Sequence, residues 1–474
     1  MFVLPLALAQ FVASYAGTTM NVAVNNIAKD IGTDVRGVQT AITLFTLTMA
    51  ALMIPGSKLT DIWGRKRCFV VGLVVYGAGG LIAALSTSLT MLIVGYSLLE
   101  GIGSALMIPP IYILITVLFT EIDTRAKFFG VVSGAAGIGS AAGPLIGGVI
   151  TSGISWRASF GLQVAIVAVV IGLALRVSVP RFAGTKPRFD VTGAVLSAAG
   201  LVVIVLGVLQ SGDYGWFSAR KDFTIGNTVV IHEGGVSPVW LYFAVGAVIL
   251  AWFFLHIRSE ERRGVQPLLA TRLFRNRTSN LGLVTQNLQW LLMQGSFFVV
   301  SVYLQTVRHF SAIRTGLVIT PATAGILLSS AVAQRMAQRR PQRTLVSGGF
   351  LATALGMGLL LALARATSNV LLFAPGLFVL GLGAGVMLTA SVNVVQSAFP
   401  EKDQGEISGL SRSVSNLGSS LGTAFVGSIL VSPIVTGNKH YALALVTLVV
   451  IALIGLVVAL SLPRHQEARL DVGT

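Results

Sequence analysis

The chain has 474 residues, 54% of them hydrophobic and only 11% charged. Soluble chains carry about 25% charged residues, so the polar surface here is too small for a soluble globule and a bilayer is the expected solvent. The net charge of +16 falls in short clusters between apolar runs, the pattern of membrane-protein loops and not of a nucleic-acid surface. One cysteine, Cys68, excludes an intrachain disulfide, and five scattered His residues lack metal-ligand spacing; neither metal nor cofactor is expected.

A membrane-crossing helix needs about 20 largely apolar residues. Fourteen spans are predicted, at 3–28, 37–58, 69–88, 91–119, 129–151, 160–178, 191–212, 238–256, 279–306, 314–334, 345–364, 370–398, 405–430 and 441–462. The first begins almost at Met1 without a charged leader and reads as a span, not a signal peptide. With the N-terminus in the cytoplasm, about 23 of the 33 Lys and Arg residues fall on the cytoplasmic side and 9 on the other, with Arg412 further inside span 13. The reverse topology inverts that bias. A multi-pass protein of the cell membrane with both termini cytoplasmic is expected. Residues 213–237 form a polar external loop, where Phe223-Thr-Ile and Thr228-Val-Val-Ile231 flank Gly226-Asn227, a two-residue turn signal for a small β-hairpin.

Several runs carry more specific information. After span 2 comes Gly56-Ser-Lys-Leu-Thr-Asp61-Ile-Trp-Gly64-Arg65-Lys66-Arg67. A carboxylate at a helix end, beside a glycine turn and a cationic run, can hold neighbouring helix ends by charge and dipole. A weak echo, Arg335-Met-Ala-Gln338-Arg-Arg-Pro341-Gln-Arg343, follows span 10 and suggests an internal repeat. Span 5 holds Gly139-Ser-Ala-Ala-Gly143-Pro144-Leu-Ile-Gly147-Gly148, small residues at four-residue spacing that make a flat packing face. Phe189-Asp190-Val-Thr-Gly193 precedes span 7, and span 13 holds Gly405-Glu406-Ile-Ser-Gly409 and Asn416-Leu-Gly418-Ser-Ser-Leu-Gly422. Over essentially the whole chain these runs resemble the major facilitator superfamily, in its fourteen-span drug–proton antiporter branch. The resemblance implies an all-α integral membrane fold of two six-helix bundles, 1–180 and 279–474, with an inserted helix pair in 181–278. It also implies that Gly56, Asp61, Gly64, Arg65, Lys66 and Arg67 gate the bundles, and that Gly139, Gly143, Pro144, Gly147 and Gly148 form the antiporter helix motif.

The chain departs from that branch in two spans. Where the branch usually has an intramembrane Asp ahead of Thr18-Thr-Met-Asn21-Val-Ala23, this chain has Ala16. Where span 4 usually has Arg-x-x-Gln-Gly, it has Ser97-Leu-Leu-Glu100-Gly101. A carboxylate within a span marks a functional site by default, which makes Glu100 a candidate proton carrier. Asn21 and Glu100 each lie about 18 residues from the inner ends of their spans, roughly 27 Å in, so Asn21, with Thr18 or Tyr15, is expected to hydrogen-bond Glu100. Glu406 is a second candidate proton-coupling acid, and Arg412 is expected to anchor a polar cluster with Asn416. Asn25, Gln286, Asn287, Trp290 and Gln294, with Tyr15, Thr18, Asn21, Arg412 and Asn416, are candidate substrate-cavity residues, because amides in lipid are costly unless they face a cavity.

The expected function is secondary active transport by alternating access. The resemblance implies proton-coupled efflux of amphipathic or drug-like small molecules by a protein that works as a monomer among membrane lipids. The alternatives on the same fold are a lipid or lipid-conjugate transporter and an uncoupled facilitator. Enzyme chemistry is not expected, since no nucleophile–base set, phosphate cradle or metal cluster stands out.

Overall fold

A computed structural model describes residues 3–119, 121–176, 188–226, 228–337, 340–364, 369–400, 403–430 and 439–463. Helices 1 to 3 are Val3–Asp30, Val35–Trp63 and Arg65–Ala84; helix 4 is Leu89–Leu92 and Gly101–Leu118 joined by the π-helical segment Ile93–Glu100. Helices 5 to 9 are Ile122–Gly153, Trp156–Arg176, Val191–Tyr214, Pro238–Arg262 and Arg277–Thr306. Helices 10 to 14 are Ala312–Ala337, Gln342–Leu363, Phe373–Gln396, Gln404–Leu430 and Lys439–Leu460. Twelve of them are long and apolar enough to cross a membrane. The other two are helices 9 and 13, whose amides and serines lower their hydropathy. Both are central, so their polar side chains meet protein and not lipid.

Local signals start the helices. Asp34, Asp190 and Asn276 accept the backbone N–H three residues on, capping helices 2, 7 and 9, and Ser237 caps helix 8 ahead of Pro238. Gly64, at φ +93°, makes the sharp link between helices 2 and 3.

Helix 1 packs along helix 5, helix 3 against helices 4 and 6, helix 12 between helices 10 and 11, and helix 9 against helices 13 and 14. The two sets are joined mainly by helices 1 with 9, 2 with 13 and 5 with 10, with smaller contacts of 1 with 10 and 4 with 13. Helix 7 lies on helices 2 and 13, and helix 8 on helix 7. The most apolar stretch of helix 2 is 78% buried and that of helix 8 only 22%, which puts helix 2 at the centre and helix 8 at the lipid edge. Strands Phe223–Ile225 and Thr228–Ile231 pair antiparallel between helices 7 and 8, with Phe223 edge-on to Tyr214 and Tyr242.

Glycine sets the closest approaches. A Cβ on Gly103 would lie 2.5 Å from the Tyr76 nitrogen, and one on Gly79 would lie 2.6 Å from the Gly95 carbonyl, so helices 3 and 4 touch backbone to backbone. Around Gly134 nothing lies within 4 Å. Gly103→Ala is therefore expected to cost about 1–3 kcal/mol, while Gly134→Ala is neutral or gains up to about 1 kcal/mol of helix propensity. Thermal unfolding in detergent checks this, and equal melting shifts for the two would contradict it.

Candidate functional site

The seam between helices 1–6 and 9–14 differs at its two ends. Opposite the Asp61 end, helix 9 is clipped onto helix 1. The Gln305 amide donates to the Asn21 carbonyl at 2.9 Å and accepts from the Asn25 N–H at 3.0 Å, and Ser301 donates to the same carbonyl at 2.7 Å. Gln294 donates to the Gly17 carbonyl at 3.3 Å. At the same end Ile313 N–H donates to Ser152 at 2.9 Å, and Gln39 of helix 2 donates to the Thr423 and Ala424 carbonyls of helix 13. The small residues of helix 5 serve two neighbours. Gly139, Gly143 and Gly147 lie against helix 1, where Thr19 donates to the Gly143 carbonyl, while Pro144 and Gly148 lie against Gly316 and Ala312 of helix 10.

At the Asp61 end the ties are fewer and more ionic. Lys58, almost fully buried, pairs with Glu406 at 3.7 Å, and the Ala270 N–H donates to Glu406 at 3.2 Å. Asp61 stands exposed among Lys58, Arg65 and Glu406, and Gly56 lies directly on the Ala105 carbonyl of helix 4. Lys66 donates to the Leu175 carbonyl at 3.0 Å, a cation on the C-terminal turn of helix 6. The linker between helices 8 and 9 packs against helices 2, 12 and 13 at this end. Leu268, Leu269 and Leu273 are buried with Ile54, Ile257, Val395 and Ile407, and Arg272 pairs with Asp403 at 2.5 Å. Asp190 holds the linker, accepting from the Leu268 N–H at 3.2 Å beside His256 Nε2 at 2.9 Å. Gln338 and Arg339 of the echo lie outside the described residues.

Between these ends the facing helices change character. On helix 1, Phe11, Ser14 and Gly17 are partly exposed, while Thr18–Val24 is buried; on helix 9, Leu288 and Trp290 are partly exposed, while Leu291–Val302 is buried. The seam is thus reachable from the Asp61 end as far as Gly17 and sealed beyond it. Just past that level is a cavity of about 20 Å³, lined by ten uncharged residues that include Thr18, Asn21, Ser140, Met293 and Phe297. A drug-sized ligand needs roughly 300–1,000 Å³, so this conformation holds a closed pocket.

The candidate residues distribute unevenly around that pocket. Thr18 and Asn21 line it, and the Asn21 Oδ1 is buried with no hydrogen-bond partner. Gln294 and Trp290 lie one and two turns below Phe297 on the stripe that faces helix 1. Asn25 contributes its backbone to the Gln305 clip. Gln286 bonds Ser411 and Ser415, and Asn287 bonds the Val414 carbonyl, so both are turned to helix 13 and away from the pocket. Arg412 and Asn416 share the partly exposed face of helix 13, between Ser413 and Ser420, which bond helix 2, and Ser411 and Ser415, which face helix 9. Arg412 reaches across the seam to the Tyr112 hydroxyl of helix 4 and lies 5.0 Å over its ring.

Glu100 is fully buried but does not meet Asn21. Its carboxyl sits on Gly80 of helix 3, where a Cβ would lie 3.0 Å from Oε1 and 3.1 Å from Val164 of helix 6. Neither carboxyl oxygen has a hydrogen-bond partner. The Tyr76 phenol is close enough to interact with it, but its proton goes to Gln163 Oε1 at 2.6 Å. Tyr15, also buried, keeps an unpartnered hydroxyl and stacks on Phe11. The acid thus occupies a pocket behind helix 1, away from the seam. A π-helical turn ends at Glu100, and such turns recur at functional sites.

The family model of the Major Facilitator Superfamily matches residues 6–423 and 282–472. The chain belongs to this superfamily. A probable actinorhodin transporter of Streptomyces coelicolor is 29% identical over 423 residues, 87% of this chain and 69% of that protein. Puromycin resistance protein pur8 of Streptomyces alboniger is 28% identical, covering 89% of this chain and 80% of that protein. Multidrug resistance protein Stp of Mycobacterium tuberculosis is 26% identical, covering 87% and 72%. Among solved structures, a mutant peptide transporter POT in complex with sulfate has a TM-score of 0.69 at 16% identity, covering 98% of this chain and 95% of that one. This major facilitator protein is therefore a membrane transporter, similar to proteins named for actinorhodin transport and for puromycin and multidrug resistance.

Sequence reasoning missed Tyr76 and Gln163 beside Glu100, Tyr112 beside Arg412, and the Gln305 clip. No local signal marks these partners, which lie 24 to 300 residues from the groups they stand beside. The linker offers a direct test. Asp190→Ala removes a helix cap worth about 1 kcal/mol and the anchor of Leu268. Backbone exchange in residues 264–276 is expected to rise several-fold by hydrogen–deuterium mass spectrometry. Unchanged protection would mean that the leucines hold the linker alone.

Proposed function

We propose that this superfamily member is a proton-coupled exporter of amphipathic, drug-like small molecules, working by alternating access as a monomer in the cell membrane. In this reading all fourteen helices span the bilayer. The Asp61 end and both termini are cytoplasmic, and the hairpin in 213–237 is outside. Residues 1–180 and 279–474 are the two bundles that rock, and the helix pair in 181–278 rides on the seam through helix 7. The observation that carries the reading is the asymmetry of the seam, partly exposed from one end as far as Gly17 and sealed by the helix 1–9 clip beyond it. Such a seam supports a carrier resting open to the cytoplasm, and the relatives' names support export.

Substrate enters between Gly17 and Trp290 and widens the pocket at Thr18 and Asn21. Opening to the outside then requires release of the Gln305 clip and closure of the Asp61 end. Lys58, Asp61, Glu406 and the basic run Arg65, Lys66 and Arg67 form the gate there. We assign proton exchange to Glu100. A carboxyl fully buried within a span marks a functional group, and its position behind helix 1 lets that helix couple it to the substrate pocket.

The test is transport in proteoliposomes with an imposed pH gradient, using a panel of aromatic antibiotics. The parent protein is expected to move at least one of them in proportion to the gradient. Glu100→Gln is expected to abolish the gradient dependence while leaving substrate binding within about threefold. Full gradient-driven transport by Glu100→Gln would remove Glu100 from the mechanism. Transport indifferent to the gradient in the parent would make the protein a facilitator.

A further inference from the structure

We infer that the substrates this carrier prefers are elongated aromatic amphiphiles with an acidic group, taken with the acid on Arg412 and a hydrogen-bond donor on Asn21. The inference rests on the transport reading and adds the charge and orientation of the cargo.

Arg412 is a permanent cation on the partly exposed interior face of helix 13. Among the described residues it forms no ion pair, its contacts being the hydroxyl and ring of Tyr112. The Tyr112 hydroxyl is 3.5 Å from Gln10 Oε1, so this cation sits at the level of Gln10 on helix 1. Among the described residues no carboxylate lies within ion-pair distance of it. Glu100 is sequestered against helices 3 and 6, Glu406 is taken by Lys58 and the Ala270 N–H, and Asp61 lies beside Lys58 and Arg65. The ten residues of the pocket above are uncharged. A lipophilic cation entering this seam meets a positive charge and no counter-ion, whereas an anion meets a guanidinium with free donors.

A second observation fixes the other end of the ligand. Asn21 is 2% exposed, lines the pocket, and its Oδ1 has no donor. A buried acceptor left empty is costly, and a ligand hydroxyl or N–H supplies what is missing. Gln10 and Asn21 are eleven residues apart on one helix, ~16 Å, which sets the length between the acidic and donor ends. Trp290 and Phe297 lie along that path and suit a flat aromatic body.

The test uses three congeners on one ring system: anthracene-2-carboxylate, its carboxamide, and the trimethylammonium analogue. Binding to the purified protein in nanodiscs is read by fluorescence, and uptake is read in proteoliposomes with a pH gradient. The carboxylate is expected to bind at least about tenfold tighter than the ammonium compound, the scale of one charge-assisted bond. Arg412→Gln should erase that preference while changing carboxamide affinity less than about threefold, and Arg412→Lys should keep part of it. Equal or tighter binding of the ammonium compound overturns the inference, as does a uniform loss of all three in Arg412→Gln. Gradient-driven uptake of the ammonium compound alone leaves the transport reading standing and refutes the charge assignment. Neither binding nor uptake of any congener overturns both.

Discussion

The two sets of helices are held together chiefly by hydroxyl and amide side chains that donate to backbone carbonyls across the seam. Gln294, Ser301 and Gln305 do so from helix 9 to helix 1, Ser413 and Ser420 from helix 13 to helix 2, and Gln39 in the reverse direction. Each receiving carbonyl belongs to a helix and has a second lone pair for the visitor. When such a bond breaks, the carbonyl keeps its helical partner, and no backbone group is stranded in lipid. Interhelical bonds of this kind average about 0.6 kcal/mol in membranes. Together with the glycine contacts they make an interface that is specific when closed and cheap to reopen. A seam of large interlocking side chains lacks that reversibility.

The second constraint is the separation of charge. Among the described residues, the fully buried acid Glu100 lies behind helix 1, and the helix 13 cation Arg412 lies in front of it. The hydroxyls of Tyr76 and Tyr96, on the acid's side, approach the Val12 and Ala16 carbonyls at 3.5 Å, while the opposite face of helix 1 carries Thr18 and Asn21. On the transport reading, proton and substrate therefore do not compete for one side chain. They communicate through the position of helix 1, which both pockets share as a wall. Such coupling is a differential preference for two helix positions and needs no shared group.

Much of this was legible in the sequence. Run length and hydropathy located the long helices, and the Gly-Asp-Gly-basic run marked the turn that Gly64 makes at positive φ. The four-residue glycine spacing of helix 5 announced a packing face, though not that it divides between helices 1 and 10. The pairing of Asn21 with Glu100 failed for a definable reason. Counting residues gives depth along a helix but not direction around it, and the π-helical turn Ile93–Glu100 changes the angular register where the carboxyl emerges. Gln286 and Asn287 bond helix 13 instead of facing a cavity, and the two arrangements look alike in sequence. The contacts Asp190–His256 and Arg412–Tyr112 come from tertiary packing alone.

The central claim is that the two ends of the seam open in alternation. Spin labels on exposed positions of helices 5 and 10 read this directly, with Val131 and Val332 at the Asp61 end and Val149 and Leu317 at the other. Double electron–electron resonance on both pairs in nanodiscs, across a pH series with and without a transported compound, is the decisive measurement. The account predicts that the Val149–Leu317 distance lengthens as the Val131–Val332 distance shortens, and that Glu100→Gln removes the pH response. Distances that stay fixed, or that change with the same sign at both ends, would contradict it.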